Sequence, residues 1–121
     1  MGAKKKVLVV DDELYVRIIY KEELEDLGLE VVTSDGGEDI AALLERERPD
    51  AVTLDIRLGL TRSGLDMLGE IKALRPELPV ILCSAYEQFQ NEPAARDADA
   101  YVVKSPDTCR YLDEVSQVLS L

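Results

Sequence analysis

At 121 residues with a 46% apolar fraction, the chain is long enough for one hydrophobic core and too short for two. A formal net charge of −11 leaves no dominant basic surface, which argues against nucleic acid and anionic membrane as partners. The chain has no histidine, so Ser-His-Asp and Cys-His hydrolysis are excluded, and any phosphoryl group handled here must arrive from another molecule.

The one basic run, Lys4-Lys5-Lys6, reads as a solvated lead-in to a strand, being shorter than the basic clusters used for targeting or nucleic-acid binding. No apolar segment has the length of a membrane span, and no signal-peptide core follows the lysines. The start lacks the Ser or Thr of a myristoylation signal, with Lys6 in that place. Two cysteines, Cys83 and Cys109, are too few for a disulfide framework and lack metal-ligand spacing. Cys83 ends an apolar run and is expected in the core; Cys109 is expected on a helix. Together these features describe a reduced, cytoplasmic protein.

Strand and helix patterns alternate five times, which implies βα units and a parallel sheet. The first strand, Lys6 to Val10, is apolar on both faces and runs directly into Asp11-Asp12-Glu13. A helix from about Glu13 to Leu27 follows, with Val16, Ile19, Tyr20, Leu24 and Leu27 on its inner face and Gly28 as C-cap. Leu29 to Thr33 is the second strand, and Ser34-Asp35-Gly36-Gly37 a turn. The next helix points Ile40, Leu43 and Leu44 inward and is closed by Pro49. The third strand, Ala51 to Leu54, runs into Asp55. After a loop containing Gly59 and Gly64, a helix places Leu65, Leu68, Ile71 and Leu74 at helical spacing. The fourth strand, Val80 to Cys83, ends at Ser84. Pro93 interrupts the segment from Tyr86 to Arg96, so a short or broken helix is expected there. Ala100 to Val103 is the fifth strand and stops at Lys104; a last helix from about Pro106 or Asp107 to Leu119 buries Leu112, Val115, Val118 and Leu119. Residues 1–121 read as one domain with no output domain.

Four strands thus finish on Asp11-Asp12, Asp55, Ser84 and Lys104. In a parallel sheet these ends share one rim. Each has a plain structural explanation alone, as a helix cap, a turn opener or a solvated charge. All four holding at once is the less economical reading. Clustered carboxylates raise one another's pKa and call for a counter-cation. Mg²⁺ suits them, since it takes a few carboxylates and keeps waters that phosphate can replace; Mn²⁺ is an acceptable substitute. With an ammonium and a hydroxyl beside it, such a rim suits the charge on a transferring phosphoryl group, and one carboxylate can form an acyl phosphate.

Asp11-Asp12, Asp55, Ser84, Tyr101 and Lys104, in this order and approximate spacing, resemble the receiver domain of bacterial two-component response regulators over essentially the whole chain. The resemblance implies a flavodoxin-like (βα)5 three-layer sandwich with strand order 2-1-3-4-5. It implies that Asp55 accepts phosphate from a sensor histidine kinase or a histidine phosphotransfer protein and passes the signal to an effector not named by the sequence. Asp12, Asp55 and the Arg57 backbone carbonyl would ligate Mg²⁺ directly, and Asp11 through a water. Lys104 would pair with the phosphoryl group, Ser84 would reorient towards it, and Tyr101 would swing inward as the switch. Arg57 and Tyr86 fall near the phosphoryl group in such domains and are expected to limit water access and prolong the acyl phosphate. On this reading the protein is a signalling switch that catalyses its own phosphorylation and dephosphorylation, rather than an enzyme with an external substrate.

The chain departs from the family pattern in places. Gly59 stands where a proline is usual, and the Gly59 to Ser63 loop is about one residue longer than usual. Lys104-Ser105-Pro106 replaces the usual Lys-Pro, so a trans bond is expected after Lys104. The segment from Ser84 to Lys104 is about two residues short, so the family's usual dimer is not assumed. Three rival classes fit these residues less well. A haloacid dehalogenase-type phosphatase needs Asp-x-Asp after the first strand, where Glu13 takes the second place. A flavin or nucleotide module needs Gly, Ser or Thr there, which Asp11-Asp12-Glu13 replaces with repulsion. A receiver-like interaction module without phosphate turnover has no use for the retained rim. Glu13 itself reads as a first-turn acid favoured by the helix dipole.

Overall fold

The computed structural model describes residues 4–58, 62–85 and 93–121. Five parallel strands form one sheet: β1 (Lys6–Val10), β2 (Glu30–Ser34), β3 (Ala51–Asp55), β6 (Val80–Ser84) and β7 (Ala100–Val103), in the order β2-β1-β3-β6-β7. Two short strands, β4 (Arg57–Leu58) and β5 (Arg62–Ser63), pair antiparallel in a separate ribbon. With that ribbon left out of the count, the order is the expected 2-1-3-4-5. The ribbon itself was not foreseen; it organises the described part of the loop after Asp55.

Strand alternation sends side chains to two cores. Leu8, Val10, Val52, Leu54, Val80 and Leu82 pack with Ile40, Leu43 and Leu44 of α2 (Ile40–Glu47) and with Met67, Leu68 and Ile71 of α3 (Gly64–Leu74). Val7, Val9, Ala51, Ile81, Cys83 and Val102 pack on the opposite face with Tyr20 and Leu24 of α1 (Leu14–Asp26) and Tyr111 and Val115 of α4 (Cys109–Val118). The central strands are buried on both faces, which is why they read as unbroken apolar runs. Residues on the α1 and α4 side include one polar pair: the Thr53 and Tyr111 hydroxyls lie 3.0 Å apart in the interior. Each satisfies the other, where an unpartnered buried hydroxyl would cost about 1–3 kcal/mol. Tyr20 stacks on Tyr111 with ring centroids 3.8 Å apart.

The helix ends follow local chemistry. Leu27 is the C-cap of α1, and Gly28 follows at φ 86°, a conformation that costs glycine no Cβ clash. The Gly28 N–H donates to the Glu25 carbonyl and the Leu29 N–H to the Leu24 carbonyl, the paired bonds of a Schellman stop. The Asp39 carboxylate caps α2 by accepting from the Ala41 N–H, and the Ser63 hydroxyl caps α3 by accepting from the Leu65 N–H.

Some inner-face expectations are corrected. Leu27 and Leu74 are 43% and 49% exposed, because each sits at the end of its helix, past the sheet that would cover it. Tyr111 and Met67 are buried instead. Helix α4 starts at Cys109, with Thr108 as N-cap, two or three residues later than expected, because the Ser105 and Asp107 side chains tie up the preceding turn. Of the segment expected to hold a broken helix, the described part is a single 3-10 turn, Pro93–Ala95; residues 86–92, and with them Tyr86, lie outside the described residues. So do Gly59 to Thr61. No cis peptide bond occurs among the described residues, in keeping with the trans bond expected after Lys104.

Candidate functional site

The carboxyl ends of β1, β3, β6 and β7 converge as the strand pattern requires. Asp11 follows β1 and is still held by the sheet, its N–H donating to the Ser34 carbonyl at 3.0 Å. Its side chain is buried and accepts from the Glu13 N–H at 3.0 Å. Asp55 is the last residue of β3 and Ser84 the last of β6; both are buried. Lys104 follows β7, and its N–H donates to the Ser84 carbonyl at 2.7 Å, fixing where its side chain starts.

From that anchor the Lys104 ammonium bridges two carboxylates. It lies 2.7 Å from Asp11 Oδ2 and 3.2 Å from Asp55 Oδ2. Asp12 stands beside them, exposed at the rim. Burial is the main influence on Asp55 and pushes its carboxyl up to about 6 from 3.8. Lys104 opposes that rise and Asp11 adds to it. For Lys104 burial works towards a lower value, but Asp11 and Asp55 outweigh it and raise the ammonium above its ordinary range. One ammonium thus bridges two buried carboxylates, and its charge partly offsets the effect of burial on Asp55.

One ammonium does not balance three acids. Carboxylate oxygens of Asp11, Asp12 and Asp55 all lie within 4.8 Å of one another. An all-oxygen, all-anionic donor set of this size fits a small hard cation such as Mg²⁺. Two of the three, Asp12 and Asp55, line a rim cavity of about 370 Å³ together with Glu13, Arg57, Ser84, Ala85 and Lys104, and Asp11 meets it through its contact with Lys104. The Arg57 N–H donates to Asp55 Oδ1 at 3.3 Å, steadying the second oxygen of that carboxylate. Tyr101 is half-buried against the α2 and α3 core and shares a hydrogen bond with Ser84; burial raises its phenol and the bond to Ser84 pulls the other way.

Every rim residue expected from the sequence within the described part is thus near the cavity or in contact with a residue that lines it. Two others were not foreseen. Glu13 is not a first-turn acid: it is the N-cap of α1, makes no side-chain cap bond, and lines the cavity with its carboxylate 3.9 Å from the Lys104 ammonium. Its place directly after two rim acids was the available signal. Gly64, read as an ordinary loop glycine, begins α3 against the end of β3. A Cβ built there would sit 1.9 Å from the Asp55 carbonyl oxygen.

The model of the response regulator receiver domain matches residues 7–115, and the chain belongs to that family. It is 37% identical over 105 residues to the probable transcriptional regulator ycf27 of Cyanophora paradoxa, covering 84% of this chain and 42% of that one. It is 32% identical over 117 residues to protein CcdB of Bacillus subtilis, covering 94% and 97%. The chain thus spans less than half the length of the first relative and nearly all of the second. Among solved structures it resembles the response regulator TrrA of Thermotoga maritima in complex with Mg²⁺-BeF, with TM-score 0.88, 35% identity, and 94% and 98% of the two chains covered. TrrA has also been solved in complex with the histidine kinase ThkA.

Proposed function

We propose that this domain accepts a phosphoryl group on Asp55 from a phosphohistidine of a sensor kinase or phosphotransfer protein, in a Mg²⁺-dependent step, and relays its altered surface to an effector. The observation that carries this reading is the Lys104 bridge to Asp11 and Asp55 beside the three-carboxylate cluster. Asp12, Asp55 and the Arg57 carbonyl would hold the ion directly and Asp11 through a water; when bound, it supplies positive charge to the oxygens of the transferring group. Mn²⁺ would substitute on the same oxygen donors.

An Asp55 oxygen forms the new O–P bond while the P–N bond to the donor imidazole breaks, its electron pair staying with the departing ring nitrogen. Lys104 neutralises charge on the acceptor and then on the phosphoryl oxygens. Ser84 lies at the cavity wall, where its hydroxyl would reorient towards that group, and its bond to Tyr101 joins the event to the outer strand β7. The domain acts as a switch that turns over its own phosphate. No helix among the described residues is long and apolar enough to cross a membrane, and the reading places the domain in the cytoplasm, where its two free cysteines remain reduced.

Incubation with Mg²⁺ and acetyl phosphate, followed by mass spectrometry, tests the reading. A one-phosphate adduct is expected on the wild type and none on Asp55→Asn. An adduct that persists in Asp55→Asn would move the site, and none on the wild type would favour a binding module or a domain that accepts only a protein donor. The same assay addresses Arg57, whose exposed side chain lines the cavity. Arg57→Ala should shorten the adduct's life several-fold by admitting water; an unchanged decay rate rejects that role.

A further inference from the structure

Glu13 is the one acid of the opening trio that phosphate acceptance leaves without a task. It holds the N-cap position of α1 with extended backbone, φ −88° and ψ 116°, yet its side chain caps nothing. The carboxylate is directed to the Lys104 ammonium instead, at 3.9 Å and with its side chain 57% exposed. Beside the acid cavity lies a groove between α1 and residues 104–108, and among the described residues two line both: Glu13 and Lys104. They form the partition between the two spaces.

The position of Lys104 raises a difficulty for any cation at the rim. Its two short contacts are to Asp11 and Asp55, which are also two of the three members of the cation cluster. A divalent ion held by those carboxylates repels an ammonium on the same two groups. Lys104 would be pushed off Asp11, and an ammonium with no other partner would be displaced towards the groove and away from the reacting atoms. Glu13 is the third carboxylate in its reach, and it lies outside the cation cluster.

We propose that Glu13 is a positioning residue for Lys104: a second anchor that takes the ammonium from Asp11 when a divalent cation occupies the rim, and keeps it at the cavity mouth. The inference rests on the Mg²⁺ reading given above. A lysine's flexible stem and point charge suit such a change of partner without movement of the backbone. The partition residue thereby sets where the second positive charge stands during transfer.

Magnesium chloride alone is the probe, titrated calorimetrically at about pH 8, where Asp55 is ionised. Glu13→Gln should weaken Mg²⁺ binding about three- to tenfold in the wild-type background, the size of a coupled contact. In the Lys104→Met background the same substitution should cost about twofold or less, only the loss of a distant charge. Glu13→Asp, which keeps the charge on a shorter stem, should fall between. Lys104→Met by itself should bind Mg²⁺ more tightly, since no ammonium has to leave. The Lys104 ε-methylene NMR signals should shift on Mg²⁺ addition in the wild type and follow a different course in Glu13→Gln. Equal effects of Glu13→Gln in both backgrounds would overturn the anchor while leaving the metal reading intact. Absence of Mg²⁺ binding by the wild type would overturn both.

Discussion

Gly64→Ala should cost the domain roughly 3 kcal/mol or more, at the top of the range for overpacking, and should strip Asp55 of the acceptor role proposed for it wherever the variant still folds. The added Cβ would lie 1.9 Å from the Asp55 carbonyl oxygen and 2.8 Å from both the Asp55 carbonyl carbon and the Ile56 Cα. All three obstacles are backbone, so no side chain can swing aside to make room. Retreat of α3 is also opposed, because the Gly64 N–H donates to the Ile56 carbonyl at 2.6 Å and the Ile56 N–H to the Cys83 carbonyl at 3.2 Å. The clash would therefore be relieved by turning the end of β3, which carries the acceptor carboxylate. Gly69 provides the control: it lies in the same helix, and a Cβ there meets nothing within 4 Å. Gly69→Ala should be neutral or stabilising by up to about 1 kcal/mol through helix propensity. Urea midpoints and the acetyl phosphate adduct measure both; matching midpoints for the two variants would refute the close-approach account.

Lys104→Met should lower phosphate acceptance at pH 7 by more than tenfold, on the scale of losing one preorganised charge contact. Removing one partner of a buried ion pair costs about 3–5 kcal/mol when the other must stay charged. Here the orphan has an escape. Burial already holds Asp55 at about 6 with Lys104 in place, so without the ammonium its value rises further and the carboxylate takes a proton. At limiting Mg²⁺ the nucleophile is then neutral more often than in the wild type, and raising the pH should restore part of the rate.

The sign of the stability effect follows from the same shift. The folded state holds the Asp55 proton more tightly than the unfolded chain, so this group's contribution to stability is present below about pH 4 and is lost as pH rises through about 6. The loss is on the order of 3 kcal/mol for a shift of this size. In Lys104→Met the window should extend to higher pH. Urea midpoints in metal-free buffer between pH 5 and 8 should therefore fall more steeply in the variant than in the wild type. Excess Mg²⁺ should flatten the wild-type slope, because a cation favours the ionised form. Parallel slopes for the two proteins would show that Lys104 does not hold Asp55 in its charged state.

The rim was legible in the sequence because strands buried on both faces run apolar almost to their carboxyl ends, with Thr53 as an interior exception partnered by Tyr111. Asp55, Ser84 and Lys104 therefore stood out as breaks in apolar runs, and the parallel arrangement implied by βα alternation brought the breaks to one edge. What stayed hidden depended on contacts across the fold. An acid at a helix start has two uses, capping its own helix or facing a cavity, and only the rotamer of Glu13 separates them. Gly64 carried no local mark, since its need for a bare Cα comes from the Asp55 backbone. Periodicity continued the inner faces of α1 and α3 to Leu27 and Leu74, beyond where the sheet ends. It also passed over Tyr111, whose hydroxyl is tolerated inside only because Thr53, on another element, receives it.

The order of the strands also bears on how the domain comes together. Strand β1 pairs with β2 and with β3, so the first half of the chain can build three adjoining strands before β6 and β7 exist. Yet a single domain folds as a unit, and without β7 the acids Asp11, Asp12 and Asp55 would share one edge with no lysine from that strand to oppose them. Docking of the last βα unit brings the ammonium that bridges Asp11 and Asp55, so closing the sheet and neutralising its rim are one event.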